Sequence, residues 1–209
     1  MKYENLSEAK RLIFQKSIEL FATMSFEIVT MNDIARAVGK TKSSLYNHFI
    51  SKQEILDEIY DFFCRHFVDN RNPVEQLEPV LLQGSKLDII HSVFYVFGET
   101  DPLMLPILQI IHQRKFHDDR ARRIVHQILI ADGIAYAESV FNRAVEIGRL
   151  APFDTHLLAV LCNNSRLCIY DKWILNPTAE YYRALSEEEN QIFALVAETI
   201  VDLKPPRPQ

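Results

Sequence analysis

Glycine is scarce in this chain, with five in 209 residues. Sandwiches and barrels of short strands use glycine freely in turns and bulges, so such a composition argues against them. No segment sustains the period-two alternation of a half-buried strand. No run approaches the roughly 18 apolar residues of a membrane span. Cysteine is also sparse. Cys64, Cys162 and Cys168 are an odd number without a Cys-x-x-Cys spacing, which points to reduced, buried thiols and away from a disulfide framework. There is no Gly-rich phosphate loop, no Gly-x-Ser-x-Gly elbow and no His-Glu-x-x-His, so enzymatic chemistry has no motif to stand on. His112, His117 and His126 with Asp118 and Asp119 do not fall on one helical face, so no metal site is expected and no cofactor is implied. The opening MKYENLSEAKRLIF mixes acids with its bases and has no apolar segment. No signal peptide is therefore expected, and the cytoplasm is the expected location.

What is present is apolar: 48% of residues, recurring mostly at spacings of three and four. That period predicts an all-α protein with a sizeable core. The net charge is −5, yet residues 1–55 carry eight bases against six acids. The acidic excess lies behind residue 55.

Helix punctuation is dense at the front. Ser7 can cap a first helix with Ile13, Ser17, Leu20 and Phe21 on one face, and SFEIVT (25–30) ends it. Thr30 and Asp33 can open a second helix, buried through Met31, Ile34, Ala35 and Val38, with Gly39 as its stop. Thr41 caps a short third helix with Leu45 and Phe49 pointing inward. Ser51 and Glu54 form a capping box for a long fourth helix reaching about Asn70. Beyond a Pro-marked break at 71–79, the spacing predicts helices over 75–98 with an interruption near Gly84, then 103–117, 119–148, 154–175 and 187–203. KPPRPQ (204–209) is expected to be a dangling tail.

Helix, Gly turn, helix is the helix-turn-helix arrangement, whose second helix offers its N-terminal residues to the major groove. Here those are Thr41, Lys42, Ser43 and Ser44, with Tyr46, Asn47 and His48 following on the outward side. Thr30 and Lys52 stand at flanking helix N-termini, where amides and a cation suit phosphate oxygens. Capping alone would also explain Thr30, Thr41 and Ser51.

The run IFQKSIELFATMSFEIVTMNDIARAVGKTKSSLYNHFISKQEIL, with its F…T…DIA…G…T…LY.HF.SK.E.L backbone, resembles the N-terminal domain of TetR-family transcriptional repressors over residues 9–60. The resemblance implies a three-helix DNA-binding head at 1–52 and a larger helical ligand-binding and dimerisation domain at 53–203. It also implies a homodimer through 154–175 and 187–203, a double-stranded operator and no catalysis. Three positions depart from the family. Ser25 stands where Gly commonly ends the first helix, and Ser43 replaces a frequent Gly. Lys40 replaces an apolar residue, which either adds a phosphate contact or sheds a packing contact.

For the body, Phe63, His66, Phe67, Phe94, Phe97 and His112 gather rings and polar tips on apolar helices, and Tyr136, Asn163 and Arg166 add polar groups. They are ordinary core, or they line a cavity for a mostly apolar effector. The leading expectation is a ligand-responsive dimeric repressor on a palindromic operator. The alternative is a helical apolar-ligand-binding protein with a vestigial head.

Overall fold

The computed structural model describes residues 7–69, 71–93 and 102–199. Every regular element among them is helical. Phe94, Phe97, Ile200 and the 204–209 segment lie outside the described residues.

The chain divides into two compact units. The first holds residues 1–70 and 96–125, and the second residues 71–95 and 126–209. The line expected at residue 52 runs through the first unit.

In the first unit, α1 (Glu8–Met24) starts at Ser7, whose hydroxyl accepts from the Lys10 amide. Its inward face is Ile13, Phe14, Ser17, Ile18, Phe21 and Ala22. Ser17 is tolerated there because its hydroxyl donates to the Ile13 carbonyl at 2.8 Å. Ser25 ends the helix at φ 70°, ψ 150°. That is a region glycine enters freely, which fits the family's preference for Gly at this position.

α2 (Met31–Ala37) and α3 (Lys42–Tyr46) pack on each other, and α1 packs on α2 and α4 (Lys52–Asp69). α7 (Met104–Arg114) lies against both α1 and α4. The shared core takes Ile18, Phe21, Ile34, Leu45, Phe49, Ile55 and Ile59, each no more than 1% exposed. Ser51 accepts from the Glu54 amide, as expected of a capping box. The Glu54 carboxylate, however, returns to the amide of Ile50, one residue before the cap, at 2.6 Å.

In the second unit, a 3-10 turn (Val74–Leu77) leads into α5 (Glu78–Gln83) and α6 (Lys86–Ser92). The expected interruption at Gly84 is present. A Cβ there would sit 2.6 Å from the Val80 carbonyl oxygen, so a close backbone approach requires glycine. Ser85 and Asp88 then open α6 with a full capping box.

The run expected as one helix over 119–148 is helical over Asp119–Glu146 but changes type. It reads α8 (Asp119–Arg123), a π-helical stretch (Ile124–Ala131) and α9 (Asp132–Glu146). Hydrophobic period over eight residues does not distinguish a π-turn from an α-turn. By length and composition this run matches a membrane span. Yet Ala137, Val140, Phe141 and Ala144 recur on one face and join the core of the second unit, and Glu138 stands between them. One-sided burial of this kind is helix-on-helix packing.

α10 (Thr155–Leu175) packs chiefly on α9, and α11 (Ala179–Thr199) on α10 and α6. α11 begins eight residues before the expected 187. Thr178 accepts from the Tyr181 amide and supplies the cap. AEYYRALS (179–186) has no clean apolar stripe but is made largely of good helix formers.

Candidate nucleic-acid interface and body residues

The head is built from local bonds. Thr30 accepts from the Asp33 amide at 3.3 Å, and its own amide donates to the Asp33 carboxylate at 3.0 Å. The Thr30 hydroxyl, 2.6 Å away, also donates to that carboxylate. These bonds from Thr30 hold the Asp33 carboxyl below its ordinary value. A depressed carboxylate stabilises the fold above its unfolded pKa, and that contribution is lost as pH falls through the folded value.

α2 ends in a Schellman motif. The Gly39 amide donates to Arg36 O at 3.1 Å and the Lys40 amide to Ala35 O at 2.9 Å, with Gly39 at φ 64°. Thr41 then caps α3 by accepting from the Ser44 amide at 3.2 Å. Leu45 and Phe49 are the anchors, 0% and 1% exposed.

This anchoring turns the rest outward. Lys40, Thr41, Lys42, Ser43, Tyr46 and Asn47 are exposed, and Ser44 and His48 are half-buried. The Lys42 ammonium lies 5.8 Å from the centre of the Tyr46 ring. Arg36 on α2, not singled out in the sequence, is a further exposed cation, with its side chain 82% accessible. The signal for it was its place on α2 away from Ile34 and Ala35.

Lys52 is placed differently. Its ammonium donates to the carbonyls of Phe26 at 2.7 Å, Glu27 at 3.2 Å and Val29 at 2.9 Å. It also sits 4.4 Å from the centre of the Phe26 ring. Its donors are spent inside the head.

The candidate ligand residues fall in both units. In the first, Phe63 and Phe67 are buried and stack at 5.6 Å, and half-buried His66 stacks on Phe62 at the same distance. His112 is 4% exposed, with Nδ1 3.4 Å from the Lys115 ammonium.

In the second unit, the Tyr136 hydroxyl donates to Asn72 O at 2.8 Å, and the Arg71 guanidinium lies over its ring at 5.0 Å. Asn163 is packed against Gly133. A Cβ on that glycine would lie 2.5 Å from Asn163 Oδ1, so glycine makes room for the amide. Arg166 pairs with Glu189 at 2.8 Å, and the Glu189 side chain is 1% exposed. Burial pushes the Glu189 carboxyl above its ordinary value, against the opposing pull of Arg166 and Ser165. Burial, aided by the Glu189 charge, likewise pushes the neighbouring Cys162 thiol up to about 12. Cys162 is the buried thiol that the sparse cysteines implied, whereas Cys64 is half-buried and Cys168 is exposed on α10.

Part of the apolar surface of the two helices expected at a dimer contact, 154–175 and 187–203, is used within the chain. Leu158, Trp173 and Phe193 are buried. Leu157, Leu161 and Ile192 are not, at 62%, 45% and 42% exposed. With Asn164 and Cys168 they line an open groove of about 460 Å³ along α10 and α11.

A Gly-turned helix pair with an outward polar N-terminus defines a helix-turn-helix protein of all-helical build. Residues 13–59 match the family model described as bacterial regulatory proteins of the tetR family, so this N-terminal segment is similar to the N-terminal domain of that family. The nucleoid occlusion factor SlmA of Aliivibrio fischeri is 23% identical over 131 residues, which are 63% of this chain and 65% of that protein. The chain thus spans about two thirds of the length of the SlmA proteins it matches. The transcriptional repressor KstR2 of Mycobacterium tuberculosis is 32% identical over 78 residues, 34% of this chain and 39% of that one. Its solved structure superposes with a TM-score of 0.57 at 20% identity, covering 95% of this chain and 98% of KstR2. A transcriptional regulator from Saccharomonospora viridis, solved with choline, gives a TM-score of 0.65 at 14% identity, covering 95% and 100%. At these identities the structural likeness establishes the fold.

Proposed function

We propose that the protein is a ligand-responsive transcriptional repressor of the cytoplasm that works as a homodimer on a palindromic operator. The observation that carries this reading is the α3 N-terminus: Thr41, Lys42 and Ser43 exposed on a helix fixed from behind by buried Leu45 and Phe49. Ser43 and Ser44 approach base edges; Tyr46, Asn47 and His48 border them. Lys40, Lys42 and the Thr30 helix end meet phosphates, which set register without carrying sequence information.

The dimer contact is the groove along α10 and α11. Leu157, Leu161 and Ile192 leave an apolar strip there that a second copy covers. The effector is a mostly apolar molecule held in the 53–203 region, with Phe63, Phe67, Phe94 and Phe97 as rings and His66, His112, Tyr136, Asn163 and Arg166 as polar contacts. The choline bound by the Saccharomonospora viridis regulator supports a small-molecule role for this body. The effector acts by binding one of two conformations more tightly, and only that difference in affinity moves the equilibrium.

Selection from a pool of random duplexes tests the reading. Wild type should enrich an inverted repeat with half-sites roughly 34–36 Å apart, or a multiple of that. Leu161→Asp puts a charge in the groove. It should sediment as a monomer and bind the selected duplex roughly 100-fold more weakly, because the second half-site is no longer tethered. Wild type that sediments as a monomer, or a Leu161→Asp protein that remains dimeric, refutes the dimer contact.

A further inference from the structure

The loop between α1 and α2 is gripped from two helices of the first unit. From α4, Lys52 donates to three carbonyls of its backbone, those of Phe26, Glu27 and Val29. From the end of α7, Arg114 pairs with the Glu27 carboxylate. The same guanidinium lies 4.3 Å from the centre of the Phe26 ring, on which the Lys52 ammonium also rests at 4.4 Å. Phe26 in turn meets the buried Phe21 edge-on at 5.1 Å. Gln109 and Gln113 of α7 both donate to Ala22 O, just upstream, at 3.1 and 3.3 Å.

Arg114 is itself held, since its Nη2 is 3.1 Å from Asp118, and Asp118 caps α8 through the Arg120 and Ala121 amides. Immediately after the gripped loop comes Thr30, the cap of α2. The backbone that seats the helix-turn-helix is therefore fixed by two cations from outside it.

We propose that Lys52 serves DNA recognition as a positioning residue. With Arg114 it clamps the Phe26 loop, so the seat of α2 follows α4 and α7, and it makes no phosphate contact. This rests on reading the head as DNA-binding. An ammonium suits the role because its three hydrogens point to three separate acceptors. A planar guanidinium cannot reproduce that fan, whereas it serves a phosphate at least as well.

The test uses the full chain as wild type, Lys52→Met, Lys52→Arg and Phe26→Leu. Amide exchange at Thr30 and Asp33 is followed without DNA, and binding to the selected duplex is titrated against salt. Lys52→Met should speed exchange at both amides and weaken binding, each about tenfold, with the salt slope unchanged. Lys52→Arg should not rescue either measurement. Phe26→Leu, which keeps the charge and removes the ring, should reproduce the pattern. The proposal is overturned if Lys52→Met leaves exchange at the wild-type rate and lowers the salt slope by about one, with Lys52→Arg restoring it. If wild type binds no duplex, the DNA-binding reading fails, and the exchange rates alone still decide the clamp.

Discussion

Arg166→Met should destabilise the protein by about 3–5 kcal/mol near neutral pH, the cost of stranding a buried charge. Glu189 is 1% exposed, and Arg166 is the cation paired with it. Burial already holds the Glu189 carboxyl above its ordinary value, and Arg166 is the largest influence holding it down. Without the guanidinium the folded-state pKa rises further. A carboxyl raised in the folded state stabilises the fold fully below its unfolded pKa, and that contribution is lost as pH rises through the folded value. The deficit of Arg166→Met should therefore shrink as the solution is acidified toward the ordinary glutamate range. This is opposite in sign to Asp33, Asp88 and Asp118, whose lowered values favour the fold at higher pH.

Urea unfolding of wild type and variant across this range measures the difference directly. The double change Arg166→Met with Glu189→Leu should recover most of the loss, since no charge is left buried. A deficit of about 1 kcal/mol or less at neutral pH, or one that grows on acidification, would show that the pair does not carry this load.

Phe49→Ala should cost about 3–5 kcal/mol, the range for emptying a large buried aromatic site. Phe49 is 1% exposed behind α3, and the Lys10 ammonium of α1 lies 4.6 Å from its ring centre. The ring thus ties the α3 end of the helix pair to the first helix. α3 is only five residues long and makes little helix on its own, so its geometry depends on Leu45 and Phe49. Phe49→Leu should lose less than half as much, because most of the volume is kept. DNA affinity should fall more for the alanine than for the leucine variant, in step with unfolding midpoints. Equal stability of Phe49→Ala and wild type would mean that α3 is held by something else.

The head was legible in the sequence because its instructions are local. Thr30 with Asp33, Gly39, and Thr41 with Ser44 each act within five residues, and each bond forms as the spacing implies. Where a side chain acts across the fold, sequence was a poorer guide. Lys52 reads as a phosphate contact at a helix start, but its acceptors are 23 to 26 residues away. Glu54 reads as the partner of Ser51, but a one-residue shift takes it to Ile50.

The same limit governs the body. A period of three to four found the helices. It did not find the π-helical stretch at Ile124–Ala131 or the early start of α11, whose first turns lack an apolar stripe. Nor does it separate a residue buried by its own chain from one left exposed. Leu157 and Leu158 are adjacent in sequence, yet one is 62% and the other 7% exposed. Asn163 reads from sequence only as a polar group on an apolar helix, ordinary core or cavity lining. It is packed on Gly133, a pairing that becomes visible only when α9 meets α10.

The proposed function stands or falls on whether the α3 N-terminus, with its exposed cations, faces a DNA backbone. The most direct measurement is the affinity of the full chain for its selected duplex across a salt series, for wild type and Lys42→Ala. Wild type should weaken steeply as salt rises, with log affinity linear in log salt. Lys42→Ala should bind more weakly and flatten that slope by about one, the signature of one lost phosphate contact. Binding that is negligible at every salt concentration, or unmoved by salt and by loss of the Lys42 charge, would contradict the account and leave a helical protein with a vestigial head.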